Sequence, residues 1–223
     1  ALEEGTRQSL STIVACGVVG IIIAVVNLTS FGSTLTAAIT QVGAGSLFLT
    51  LFLTMIASII LGMGLPSIPA YIITATMAAP ALAEFGLPIL VAHLFVFYYG
   101  IFANITPPVA LASFAAAGLS GGNAMRTSFI SVRLAIAGFI VPFLFVYQPA
   151  LLMVDTTNVA TNAVDFPMAS IGSIILVSFI AIVGILGLSA AIEGYFSMNL
   201  NIVERIVLGA ASLGMIIPET YST

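Results

Sequence analysis

The stretch "LGMGLPSIPAY", Leu61–Tyr71, interrupts a long apolar segment. Its flanks read as membrane helix, yet Gly62, Gly64, Pro66 and Pro69 all weaken a helix. In a bilayer no water satisfies a broken backbone, so non-helical chain at that depth must be buried in protein or line a water-filled cavity. A second stretch, "ANITPPVA", Ala103–Ala110, interrupts the apolar run that starts at Ile89. Such breaks leave carbonyls free at the end of one half-helix and N–H groups free at the start of the next. The first attract cations and the second anions.

The residues at each break suit that use. Gly62 and Gly64 permit unusual φ angles and close approach, with Met63 between them. Pro66 and Pro69 remove two donors, and Ser67 stands where it would cap the helix that resumes. In the second break Thr106 would cap a helix begun by Pro107 and Pro108. Asn104 and Thr106 add side-chain oxygens beside the carbonyls that the prolines leave unpaired. Hard oxygens of this kind suit sodium, by the logic that holds for other hard cations. The competing reading is a pair of proline kinks without ligands, since Pro and Gly are common in membrane helices.

Working outward, the whole chain has the same solvent in mind. Its 223 residues are 61% hydrophobic and 5% charged, with a mean hydropathy of +1.25. Soluble domains carry about 25% charged residues. No charged side chain occurs over Gln8–Ala83, Phe85–Met125 or Phe166–Ile192. Long Ala/Leu/Ile runs without alternation favour helices over a barrel. The fold class is therefore an all-α membrane protein, a multi-span helical bundle with a discontinuous helix and, at the first break, either a re-entrant helical hairpin or a pair of spans.

The coarse order reads as follows. Ser11–Leu28 is a span preceded by a loop, "ALEEGTRQS". An interfacial turn with a short amphipathic helix comes next. Helices then run over Leu47–Leu61, Tyr71–Leu82, Ile89–Phe102, Val109–Leu119, Met125–Tyr147, Met168–Ala190 and Ile202–Ile217, with a polar loop from Gln148 to Pro167. By the positive-inside rule Arg7, Arg126, Arg133 and Arg205 face the cytoplasm, and Glu84, Asp155 and Asp165 the outside. Tyr71, Tyr98, Tyr99, Tyr147, Tyr195 and Tyr221 are interface or pore-lining candidates.

Several function classes fall away. The net charge is −4 with no basic cluster, so nucleic acid is not a partner. The single Cys16 excludes an internal disulfide and a cysteine-rich metal site. The "NLT" at Asn27 and "NIT" at Asn104 lie in apolar surroundings and are discounted as glycosylation sites. His93 is either a neutral histidine bonded to a neighbouring helix or a proton relay or substrate contact. Arg126 and Arg133 share a helix face, as headgroup anchors or as a carboxylate clamp. Glu193 and the Glu204–Arg205 pair read as interfacial charges. An intramembrane enzyme with Ser67 and His93 as nucleophile and base lacks the G-x-S-x-G setting and an acidic partner, so no catalytic residue is assigned.

"LGMGLPSIPAYIITATMAAPAL", "HLFVFYYGIFANITPPVALASFAAAGLSG" and "MRTSFISVRLAIAGFIVPFLFVY" together closely resemble the large membrane subunit of tripartite ATP-independent periplasmic (TRAP) transporters. The closer likeness is to the fused permease group that pairs with TAXI-type binding proteins, which "ALEEGTRQSL" and "EGYF…ERIVLGAASL" also resemble. The resemblance implies a sodium-coupled importer of small organic anions in a bacterial or archaeal cytoplasmic (inner) membrane. It implies an elevator motion, a periplasmic TAXI-type substrate-binding protein as partner, and sodium as coupling ion with no other cofactor.

Leu47–Leu82 matches the second re-entrant hairpin and Ile89–Leu119 the discontinuous helix beside it. Carried over as substrate and cation sites are Gly62, Met63, Gly64, Ser67, Asn104, Thr106 and Pro107, with Gly62, Gly64, Asn104 and Thr106 for sodium. The family has two inverted halves, and one set of breaks is found here. The chain is therefore expected to be a C-terminal portion completed by an N-terminal half of the same polypeptide. Its expected divisions are a scaffold span and interfacial segment (1–44), half of a transport domain (45–122, hairpin 45–84, discontinuous helix 88–119), a membrane helix (123–150) and a C-terminal extension with one or two further helices (151–223). The alternative is a non-transporting membrane scaffold subunit.

Overall fold

The computed structural model describes residues 2–43, 45–155 and 167–216. Asp165, Tyr221 and Ile217 lie outside the described residues, as does the side chain of Arg7. Among the described residues the chain is all helix and connection, with only isolated bridges at Val154–Met168 and Tyr195–Asn199. It is an all-α membrane bundle. The chain divides into two compact units, residues 1–129 and 130–223.

The first unit opens with α1 (Leu2–Leu28) and α2 (Phe31–Gly43). Helix α1 starts well before Ser11, so the opening residues are helix and not loop. Leu, Glu, Arg and Gln there are good helix formers and only Gly5 opposes them. The turn at its end is closed by Thr29, whose hydroxyl donates to the Val25 carbonyl (2.8 Å). The last stretch of α1, Cys16–Leu28, and α2 are inclined by 70°. Then come α3 (Leu47–Gly62), α4 (Ser67–Met77), α5 (Ala79–Glu84), α6 (Ile89–Phe102) and α7 (Leu111–Ser120). Ser46 caps α3 by accepting from the Leu49 N–H. The expected Tyr71–Leu82 helix is in fact two pieces beginning at Ser67. Pro69 sits in the first turn, where its missing N–H costs nothing, and Pro80 divides α4 from α5 at Ala78.

The centre of this unit is α6, packed against α3 and α4. Leu51, Val91, Phe95, Val96 and Tyr99 are all fully buried, and the Phe95 and Tyr99 rings meet edge to face at 4.9 Å. Val19 and Val26 of α1 pack with Ile73 and Met77 of α4. Burying side chains of this size removes about 1.5–3 kcal/mol each of apolar exposure to water. In lipid, packing and backbone satisfaction take over that role.

The chain continues through α8 (Ala124–Ala135), a 3₁₀ turn at Gly138–Ile140, and α9 (Val141–Tyr147). The expected single helix over Met125–Tyr147 is thus bent by 60°. Pro142 offers no N–H to the Gly138 carbonyl, and the chain tightens into a 3₁₀ turn. In the second unit Leu144 packs on Ala181 of α10 (Ile171–Glu193). Helix α11 (Ile202–Ile216) follows. The Arg205 side chain crosses to α10 and donates to the carbonyls of Ala191 (2.8 Å) and Ile192 (2.7 Å), satisfying orphan groups of that helix end. Glu204 instead accepts from the Asn201 N–H (2.8 Å). The two neighbours in sequence are therefore not a pair in space, as expected for adjacent positions on a helix. Glu193 meets Arg133 at 3.5 Å on an exposed face, a contact worth little by itself.

Among the described residues, α10 is the one helix that by length and composition is able to cross a bilayer by itself. The bent pairs α1–α2 and α8–α9 pass as spans if each is taken together. Helices α3, α4, α6 and α7 are apolar but shorter. Ile13, Ile21, Phe48, Phe179 and Ile182 stand exposed, as lipid-facing side chains do. This is a multi-pass membrane protein.

Candidate functional site: two helix breaks that meet

The first break joins α3 to α4. The Met63 N–H reaches back to the Ile60 carbonyl (3.4 Å) and the Leu65 N–H to the Gly62 carbonyl (3.3 Å). Gly64 lies between them at φ +75, the left-handed region that costs an L side chain about 1–2 kcal/mol. Pro66 is the N-cap of α4 and no side chain caps it. Ser67, expected as the cap, is the first helical residue and is exposed. Pro66 excludes the helical φ/ψ only one residue before that point, so the boundary moves back by one.

The second break joins α6 to α7. The N–H groups of Asn104, Ile105 and Thr106 turn back onto the carbonyls of Ile101, Phe102 and Ala103. The Thr106 hydroxyl donates to the Phe102 carbonyl (2.8 Å). It therefore closes the helix that ends and does not cap the one that begins. Helix α7 starts at Leu111, with Ala110 as N-cap. The Pro107–Pro108 peptide is cis. Pro107 and Pro108 cannot donate to Ala103 and Asn104, as a continued helix would require. The Ala112 N–H bridges the break to the Asn104 carbonyl instead (3.0 Å). Asn104, Thr106 and Pro107 are all half-buried.

The structure brings the two breaks together. A Cβ on Gly62 would stand 2.7 Å from the Gly100 carbonyl oxygen and 3.2 Å from the Ala103 Cβ, so α3 ends against the last turn of α6. A Cβ on Gly64 would stand 3.3 Å from Val109 Cγ1, which sets the tip of the first break beside the second. Among the described residues, the carbonyls of Met63, Gly64, Ile105 and Thr106 accept no backbone hydrogen bond. Two short runs of carbonyl without a backbone partner thus lie on neighbouring segments, the second of which carries Asn104. Ser67 is the sequence-derived candidate that this cluster does not draw in by any contact.

Two further contacts have partners that the sequence reading did not name. Gly100 is the surface on which Gly62 rests, and on its other side a Cβ would meet Thr74 of α4 at 3.4 Å. An isolated glycine in a helical run is the only sequence signal for it. His93 engages the Tyr71 hydroxyl through Nδ1 (3.0 Å), and the Tyr71 ring meets Phe97 edge to face at 5.3 Å. His93 is thus bonded to a neighbouring helix, and its contact is Tyr71 and not Ser67. No cluster of three His, Cys, Asp or Glu side chains forms among the described residues.

Among curated proteins and among solved structures nothing matches this chain. The family described as "Tripartite ATP-independent periplasmic transporter, DctM component" matches it over residues 1–159, a stretch that contains both breaks. With well over half of its residues matched, the chain belongs to this family, the permease component of a TRAP secondary transporter.

Proposed function

We propose that this chain forms one half of a sodium-coupled importer of small organic anions. The observation that carries the reading is the meeting of the two breaks at Gly62–Gly100 and Gly64–Val109. Free carbonyls of Met63, Gly64, Ile105 and Thr106 and the Asn104 side chain supply neutral hard oxygens, which suit a monovalent cation that must be bound and released. Charge from a bound cation, together with the N–H ends of α4 and α7, would favour an anionic substrate. An inverted second set of breaks, supplied by another segment of the polypeptide, completes the site in this reading. A periplasmic TAXI-type binding protein delivers substrate, the membrane is the bacterial or archaeal cytoplasmic one, and the hairpin moves with α6 and α7 as an elevator body.

The test is uptake of a panel of keto acids, dicarboxylates and amino acids by the full transporter in proteoliposomes, with its binding protein. Uptake is expected to collapse when the sodium gradient is removed and to fall at least tenfold in Asn104→Ala. Uptake unchanged by both would overturn the reading. Uptake lost with a proton gradient but indifferent to sodium would overturn the coupling ion alone.

A further inference from the structure

Hydroxyls in this protein nearly always fold back on their own helix. Thr29, Thr34, Thr40, Thr50, Thr74 and Thr76 each donate to the carbonyl four residues earlier. Three do not. The side-chain oxygens of Thr36 on α2 and of Thr54 and Ser58 on α3 are buried and have no hydrogen-bond partner. Thr54 and Ser58 are 0% exposed and Thr36 is 5% exposed. An orphaned hydroxyl in a dry interior is costly, and buried polar groups nearly always find a partner.

The three fall together. Gly43 of α2 touches the Thr50 side chain at the turn between the helices. The two helices flank one apolar groove from Phe31 to Val42 on α2 and from Leu53 to Leu61 on α3, so they run side by side and antiparallel. Thr36 precedes Gly43 by two turns, about 10.5 Å along its axis, and Ser58 follows Thr50 by just over two turns, about 12 Å. Thr36 and Ser58 are therefore level, and Thr54 is one turn below Ser58 on the same face. None of the three lines the outer groove, and all three are buried.

We propose that Thr36, Thr54 and Ser58 bind an internal water molecule. Three hydroxyls match the roughly three hydrogen bonds that a buried water makes to otherwise unsatisfied groups. A cation fits the same oxygens poorly. Hard cations gather about six or more oxygens, and no charged side chain occurs between Gln8 and Ala83 to offset the cost of burying one. The site differs from the helix breaks in position and ligand, and it does not depend on the proposed transport chemistry. It holds the first arm of the hairpin to α2 by a polar node within an otherwise apolar contact.

The test uses the full transporter in lipid nanodiscs and the near-isosteric variants Thr36→Val, Thr54→Val and Ser58→Ala. Each variant is expected to lower the Tm by about 2–4 °C. The Thr36→Val/Ser58→Ala double variant should lose little more than the worse single one, because one water serves both. Density from a high-resolution map should show a single peak within hydrogen-bond reach of all three oxygens. A Tm unchanged or raised by Thr54→Val and Ser58→Ala would overturn the proposal, since removing a truly unpaired hydroxyl relieves a cost. Strict additivity of the double variant would overturn it too. A loss of Tm seen only in sodium buffer would replace the water by a cation.

Discussion

The two breaks occupy the same unit and touch, yet they are built on different physics. The first is steric. Glycine lets α3 end against the Gly100 carbonyl, and a positive φ at Gly64 turns the chain beside Val109. The second is made by hydrogen bonds. Two prolines remove donors, and the Thr106 hydroxyl and the Ala112 N–H satisfy carbonyls of the last turn and across the gap. At Gly62 the steric break tolerates no added atom, because the atom it would strike is backbone. A bonded break weakens by degrees, since each bond is worth about 0.5–1.5 kcal/mol net.

That contrast is open to test, starting with the largest effect. Gly62→Ala drives a Cβ to 2.7 Å from a main-chain oxygen, so α3 must retreat from α6. A loss of about 3 kcal/mol is expected, at the upper end for overpacking, seen as a lower Tm with uptake abolished. Unchanged Tm and uptake would show that the glycine contact does not join the breaks. Gly64→Ala combines a φ penalty of about 1–2 kcal/mol with contact on Val109. Adding Val109→Ala should recover the steric share and leave the φ share, which a thermal unfolding cycle separates.

Thr106→Val removes the bond to Phe102 and should cost about 1 kcal/mol, with Thr106→Ser close to wild type. If Thr106→Val proves as damaging as Gly62→Ala, the second break is not graded and the comparison fails. The smallest effect is reserved for Gly118→Ala in α7, where a new Cβ meets nothing within 4 Å. Stability should stay level or rise by less than about 1 kcal/mol from helix propensity. A clear loss of uptake there would mark that face as one that another part of the transporter covers.

How far the sequence could be read depended on the range of the interaction. Helix α6 begins and ends where its apolar run does, at Ile89 and Phe102, because Pro88 and the Asn104–Pro108 segment bound it locally. Both breaks were legible for the same reason. The capping roles of Ser67 and Thr106 were not. Whether a hydroxyl caps the helix ahead or closes the one behind depends on backbone angles over several residues, and Thr106 turned backward. The bend between α8 and α9 was missed because Pro142 lies late in a run that otherwise reads as continuous helix.

The tally at the candidate site divides likewise. Gly62, Met63, Gly64, Asn104, Thr106 and Pro107 were chosen for local chemistry, and they lie on the two segments that meet. Gly100, Val109 and the Tyr71–His93 bond needed the third dimension, since their partners stand tens of residues away in the chain.

Composition and the position of glycine and proline determined by themselves that this chain lives in lipid, folds as helices and breaks two of them. Charge-free apolar runs leave no other solvent, and the missing donors and Cβ atoms are local properties of single residues. Only the tertiary structure decided that the two breaks face one another, which carbonyls stay free, and which hydroxyls find no partner on their own helix. Those outcomes depend on how α3, α4 and α6 pack, and packing is set by contacts between residues that the sequence keeps far apart.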